Sequence, residues 1–252
     1  MRTFGTMNVY TADELQPFGS GKTLNMVASA YNIFHKYDDV DVFNFETMTF
    51  CKQYVHIYSN IKLQGLPYVP LTNTYQLINI ATEDLYNDGN IHIFVFLFDE
   101  LGRIFNNREW KTNINNDMLG ALLQQRKNRL VILGTVQDFS LFDATMRKLC
   151  TNVFVCTKKW RFLCLRKYFA TDIERANFNT DIIRVREQFV RFATDKLYNS
   201  YDTTEVVANL EKEIISGQHL TNEEILNHSG DNSKDIRSLT RVGKRFRNKV
   251  KG

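Results

Sequence analysis

Proline is scarce, with three residues in a chain of 252. Together with the lack of any internal repeat or low-complexity tract, this excludes a repeat array and a disordered linker protein. No apolar run approaches the ~18 residues that a membrane-crossing helix requires, so no spanning helix is expected. The first residues lack the apolar stretch of a secretory leader, so no signal peptide is expected. The four cysteines, Cys51, Cys150, Cys156 and Cys164, form no C-x-x-C pair and have no histidine at metal spacing. That excludes a disulfide framework and a zinc site, and suits thiols in a reducing compartment. Charge of one sign is also missing: the net value of +4 is too mild to diagnose a nucleic-acid partner. What the chain does have is a hydrophobic content of 43%, including 19 Phe and 11 Tyr. It can build a core, and its length suits one large α/β domain or one domain with an appendage.

One stretch organises the rest. Gln16 to Thr23 reads QPFGSGKT, and an amphipathic run follows at once. Gly19-Ser20-Gly21-Lys22-Thr23 has the form of the end of a P-loop, G-x-x-x-x-G-K-[ST]. Successive backbone N–H groups of such a turn can point at phosphate oxygens, and the helix that follows aims its positive end at the same anion. Lys22 would reach the β- and γ-phosphates, and the Thr23 hydroxyl would bind Mg²⁺. The motif's first glycine is replaced here by Gln16.

Strand and helix patterns alternate downstream. Met7 to Ala12 is the strand candidate that feeds the loop. Leu24, Val27, Tyr31 and Phe34 recur at helical spacing over residues 22–36. Residues 41–45 and 54–58 read as strands. Residues 74–86 read as a helix, and Asn116 as the cap of another. Ile91 to Phe98 and Leu130 to Val136 are continuous apolar runs, which suit strands buried on both faces of a parallel sheet. His92 inside the first run reads as a core or edge residue. Residues 143–148 suit one helical turn. Residues 152–156 and 161–169 suit an antiparallel edge pair. Residues 181–198 read as an amphipathic helix, and residues 205–215 as another. The predicted organisation is a mostly parallel α/β domain over residues 1–200, a polar helical extension over 201–233 and a basic tail over 234–252. That tail carries eight Lys/Arg from residue 234 onward against the single acid Asp235.

A P-loop needs a carboxylate at the end of a second buried strand. FVFLFDE supplies Asp99 to orient Mg²⁺ and Glu100 to polarise the water that attacks the γ-phosphate. Gln137 closes the next buried strand, where its amide could contact both the γ-phosphate and that water. An arginine from a neighbouring subunit could stabilise the transition state, and Arg126, Arg129 and Arg147 are the candidates.

The order GSGKT, FLFDE, QQRKNRLVILGTVQ and FDATMRK resembles the FtsK–HerA superfamily of pumping ATPases. It is most similar to the zonula-occludens-toxin-like branch of phage assembly and viral genome-packaging ATPases. Gln137, Asp143 and Arg147 match that branch's strand-ending glutamine and the aspartate and arginine after it. The stretches VHIYSNIKL and LYNSYDT are also similar, so the likeness covers about residues 10–201. The transmembrane segment of the filamentous-phage proteins has no counterpart, which favours a packaging motor. The resemblance implies a RecA-like (ASCE) P-loop NTPase fold: a mostly parallel sheet flanked by helices, with an antiparallel edge pair and a basic extension. It implies ATP and Mg²⁺ as cofactors and a homo-oligomeric ring, a hexamer, with each nucleotide completed by a neighbour's arginine. DNA is the implied cargo, with capsid or portal vertex proteins as further partners, in the host cytoplasm or on the virion. DNA contacts are expected at residues 103–111, where Trp110 could stack on a base, or in the basic tail. Two other readings stand beside it: an interaction protein with a degenerate P-loop, motivated by Gln16, and a small-acceptor P-loop kinase.

Overall fold

Continuous runs of β-branched and aromatic residues can be buried on both sides only if helices cover both sides of the sheet. The chain solves this with one large sheet. The computed structural model describes residues 4–71, 77, 88–104, 120, 122–125 and 127–202, all within the first of two compact units, Met1–Ile215. The strands are β1 (Thr6–Ala12), β2 (Val40–Asn44), β3 (Thr49–Ser59), β4 (Lys62–Leu63), β5 (Val69–Pro70), β6 (Ile91–Phe98), β7 (Leu130–Thr135), β8 (Asn152–Lys159), β9 (Phe162–Phe169), β10 (Glu187–Phe192) and β11 (Tyr201–Asp202). The α-helices are α1 (Lys22–Tyr37), α2 (Leu101–Ile104), α3 (Ala144–Leu149), α4 (Ala170–Arg175) and α5 (Asp195–Tyr198).

Among the described residues the main sheet runs β10-β9-β8-β1-β7-β6-β3-β2, with β5 added beside β3. The five strands from β8 to β3 are mutually parallel. β2 is antiparallel on one edge, and β9 and β10 are antiparallel to their neighbours on the other. The mostly parallel α/β sheet with an antiparallel edge pair, β8 and β9, therefore stands as the sequence predicts; the antiparallel β2 and β10 are additions. Strand alternation divides the core. Ile93, Val95 and Leu97 of β6 pack with Met26, Val27 and Ala30 of α1. Phe94, Phe96 and Phe98 pack on the other face with Met146 of α3 and Ile173 of α4. Among the described residues no helix is long and apolar enough to cross a membrane. All four cysteines are free thiols.

The helix predicted over residues 181–198 is not formed. Its centre is β10, paired antiparallel to β9 with Phe189 opposite Leu165 and Phe192 opposite Phe162. A 3₁₀ turn at Thr180–Ile182 and the short α5 take the ends. The apolar residues fit helical spacing, but the QFVRF segment is rich in β-favouring side chains, and β9 offers it an open edge. The helices expected at residues 74–86 and 205–215, the helix capped by Asn116, and the basic tail lie outside the described residues, wholly or nearly so.

Two local arrangements have measurable consequences. A Cβ added to Gly134 would sit 1.9 Å from the Cδ1 atom of Leu101, which is fully buried at the start of α2. Glycine there lets the segment after Glu100 press onto β7. Farther along the sheet, His56 Nε2 lies 2.9 Å from His92 Nδ1, and His92 Nε2 lies 3.0 Å from the Asp88 carboxylate. Burial pushes the His56 imidazole down to about 4; His92 pushes the same way, and Asp88 opposes it.

Gly134→Ala is expected to cost about 1–3 kcal/mol in urea unfolding, the usual penalty of overpacking. Unfolded His56 takes up its proton near pH 6.5, whereas the folded residue holds out to about 4. Acid therefore favours the unfolded chain across that window. Stability should fall between those two pH values, by roughly 3 kcal/mol from this group, and His56→Phe should flatten that part of the unfolding profile.

Candidate nucleotide site

The loop after β1 is shaped by two left-handed glycines, Gly19 at φ 64° and Gly21 at φ 80°. Other residues adopt that region at a cost. Gly21 is also cramped, since a Cβ there would lie 2.9 Å from Leu163 Cδ2. It is the N-cap of α1, whose first turn has no side-chain cap and no acid to compete for its N–H groups. Asn25, one turn in, donates its Nδ2 to the Gly21 carbonyl at 3.0 Å. The Ser20 hydroxyl is buried and has no partner among the described residues. The result is an anion-seeking cradle of backbone amides.

Gln16 has a definite role in this geometry. Its Nε2 donates to the Lys158 carbonyl at 3.0 Å, and its Oε1 accepts from the Lys158 N–H at 2.9 Å. The amide thus pairs with the end of β8 as a strand residue would. The loop closes on itself through the Gln16 N–H to the Asp13 carbonyl, 2.9 Å.

The parallel order places β1 between β7 and β8, with β6 next beyond β7, so the ends of β6 and β7 lie beside the loop. Asp99 Oδ1 accepts from the Thr23 hydroxyl at 2.9 Å and from the Thr135 hydroxyl at 2.7 Å. Asn60, just after β3, holds the Asp99 backbone from both sides: its Oδ1 accepts the N–H at 2.8 Å, and its Nδ2 donates to the carbonyl at 3.0 Å. The Glu100 N–H donates to Thr135 Oγ1 at 2.9 Å. Glu100 sits at φ 60°, a left-handed conformation that costs a non-glycine residue about 1–3 kcal/mol. The Lys22 ammonium, nearly buried, donates to Gln137 Oε1 at 3.1 Å, and Gln137 Nε2 donates to Glu100 Oε1 at 2.8 Å. One amide thereby joins the loop lysine to the second acid.

The donor set around Thr23 and Asp99 is a hydroxyl and a carboxylate, the hard oxygen ligands that Mg²⁺ takes together with phosphate oxygens. Lys22, Thr23, Asp99, Glu100 and Gln137 therefore converge. Thr135 and Asn60 were not singled out from the sequence. The only signal for Thr135 was a polar residue ending an apolar strand.

Arg147 and Arg129 do not join this cluster. Arg147 is held within its own chain. Its Nε donates to Glu174 at 3.0 Å, its Nη1 to the carbonyls of Ser140, at 2.9 Å, and of Phe142, and its guanidinium lies 5.0 Å from the Phe178 ring centre. Within this chain four local contacts engage the fork. Asp143, which precedes it, caps α3 by accepting from the N–H groups of Thr145 and Met146 at 2.7 and 3.2 Å. Arg129 pairs with Glu46 at 3.6 Å. Arg126, Trp110 and Lys111 lie outside the described residues.

The sequence model of the zonular occludens toxin (Zot) family matches residues 17–205. Among solved structures, the N-terminal domain of zonular occludens toxin from Neisseria meningitidis is similar, with a TM-score of 0.51 and 17% identity, covering 79% of this chain and 100% of that one. The genome packaging NTPase B204 from Sulfolobus turreted icosahedral virus 2, solved with ATP-gammaS, gives a TM-score of 0.40 at 10% identity over 77% of this chain and 100% of that one. ATPases 2 and 3 of EssC from Geobacillus thermodenitrificans give 0.37 at 11% identity, over 96% of this chain and 44% of that one. No curated protein matches the chain.

The Gln16 clamp yields a counter-intuitive expectation. Gln16→Gly, which restores the motif's first glycine, should destabilise the protein about as much as Gln16→Ala, by about 1–2 kcal/mol for two lost hydrogen bonds. Urea unfolding measures it, and a glycine variant as stable as the parent would show that the amide is dispensable.

Proposed function

The chain belongs to the zonular occludens toxin family, and on that footing we propose that it is an ATP-driven DNA translocase that packages or extrudes a viral or mobile-element genome. The observation that carries the reading is the convergence of Lys22, Thr23, Asp99, Glu100 and Gln137 through hydrogen bonds of 2.8 to 3.1 Å. Backbone amides of residues 19–23 would bind the phosphates, and the Lys22 ammonium would neutralise the β- and γ-oxygens. Thr23 and Asp99 would hold Mg²⁺, which supplies charge neutralisation to the phosphoryl group when bound. The Glu100 carboxylate would take the proton of the attacking water, and the Gln137 amide would orient that water. Thr135 and Asn60 fix the two acids in register.

In this reading the motor acts as a homo-oligomeric ring, with DNA as its cargo and capsid or portal proteins as further partners, in the host cytoplasm or with the virion. Arg147 and Arg126 are the candidates for the arginine that completes a neighbour's site. The Gln16 clamp weakens the case for a degenerate loop, because the residue that departs from the motif builds the turn instead of disordering it.

Three measurements test the assignment. Lys22→Ala should reduce ATP hydrolysis to background, and wild-type turnover in that variant would defeat the reading. Glu100→Gln should leave nucleotide affinity within a few-fold while lowering kcat by roughly 10²–10⁴, the worth of a general base. DNA should raise the parent's turnover, whereas a small-acceptor kinase would respond to its acceptor and not to DNA.

A further inference from the structure

The two edges of the main sheet end in matching surface features. On one edge the β2–β3 hairpin carries Phe43, Phe45 and Phe50, with ring centres 5.1 and 5.2 Å apart. Phe43 and Phe50 are cross-strand partners. Phe45 is 66% exposed, and Phe50 is 78% exposed. On the other edge the β8–β9 hairpin and β10 carry Trp160, Phe162 and Phe192, with mutual centre distances of 5.5 to 6.1 Å. Here too two of the rings, Phe162 and Phe192, are a cross-strand pair, and Trp160 is 71% exposed. Scattered exposed apolar residues need no explanation, but clusters of touching aromatic rings mark contact surfaces.

The charges beside the clusters are opposite. The turn at residues 45–48 carries one acid, Glu46, and no base, whereas residues 158–161 carry Lys158, Lys159 and Arg161 and no acid. Some of these groups already have partners within the chain: Glu46 lies 3.6 Å from Arg129, and Arg161 is ion-paired with Asp195. Lys158 Nζ lies 4.8 Å from the Tyr198 ring centre. The sign difference between the turns remains.

We propose that a second copy of this chain covers each cluster, with the β2–β3 hairpin of one subunit packed on the Trp160–Phe162–Phe192 surface of the next. The choice of a second copy rests on the ring assembly proposed above; the clusters and their charges are read from the surface alone. Such a contact is heterologous, head to tail, and closes into a ring or runs on as a filament according to its rotation. The basic turn is tied to the nucleotide loop through Gln16 and Lys158, so the contact would sit beside the site.

The test is the mass of the full chain by light scattering, with circular dichroism to verify folding. The parent should self-associate, and Phe50→Glu and Trp160→Glu should each be monomeric. Mixed together, the two variants should give a species of twice the monomer mass and nothing larger, because each keeps one good surface. Milder substitutions guard against misfolding: Glu46→Lys or Lys159→Glu alone should weaken association several-fold, and the chain carrying both should recover it. A monomeric parent, an effect confined to one edge, or a mixture that stays monomeric overturns the proposal. So does a Trp160→Glu variant that loses DNA binding with its mass unchanged. Lys22→Ala should keep the parent's mass, so a failure of the ATPase reading would leave this result standing.

Discussion

A single carboxylate oxygen governs the arrangement of the site. Asp99 Oδ1 accepts hydroxyls from Thr23 on α1 and from Thr135 on β7, and Asn60 after β3 grips its backbone. Residues from four separate segments meet there. None of them could do so unless β1, β7, β6 and β3 were parallel and in register, because only parallel strands bring all their carboxyl ends to one side. The sheet exists because both its faces are apolar, and its polar residues are pressed to the strand ends. Burial of β6 and β7 is therefore what gives Asp99 and Thr135 their address.

The loop itself is held by a different device. Left-handed glycines let the chain turn, but they do not fix where the turn points. That is done by side-chain amides standing in for peptide groups: Gln16 pairs with Lys158 at the end of β8, and Asn25 holds the Gly21 carbonyl from inside α1. Gln16 replaces a glycine's freedom with two directed bonds. The departure from the motif is a change of method, from a flexible turn to a clamped one.

Much of this was legible in the sequence, for physical reasons. A run such as IHIFVFLF can hardly be anything but a doubly buried strand, and a glycine-lysine-threonine turn before a helix has few other uses. The polar residue at the end of such a strand is then placed without further information, which is how Asp99, Glu100 and Gln137 were found. The misread element has a physical cause. Residues 181–198 carried apolar residues at helical spacing, yet strand or helix at a sheet edge is decided by whether a neighbour offers hydrogen bonds, and β9 did. For Arg147 a motif records position and not contacts: the engagement of its guanidinium by Glu174, Ser140 and Phe142 has no signal in the sequence. Thr135 carries the weaker form of that signal, since a hydroxyl closing an apolar strand has many uses, and Asn60 carries none: both acquire their meaning only from the Asp99 they face.

The charge balance of the cluster adds a last constraint. Among the described residues it sets one ammonium, Lys22, against two carboxylates, Asp99 and Glu100. A triphosphate bound as proposed would bring several more negative charges into a partly desolvated site, where like charges at ~4 Å repel by several kcal/mol. The backbone amides offset part of that repulsion. The hydroxyl–carboxylate pair of Thr23 and Asp99 would provide for the rest, since it has the oxygen donors that a divalent cation takes. The Gln137 amide completes the logic. Being uncharged, it accepts from Lys22 and donates to Glu100 at once, linking cation to acid without adding charge of either sign. A carboxylate in its place would repel Glu100, and an ammonium would repel Lys22, so an amide is the side chain that can close this bridge.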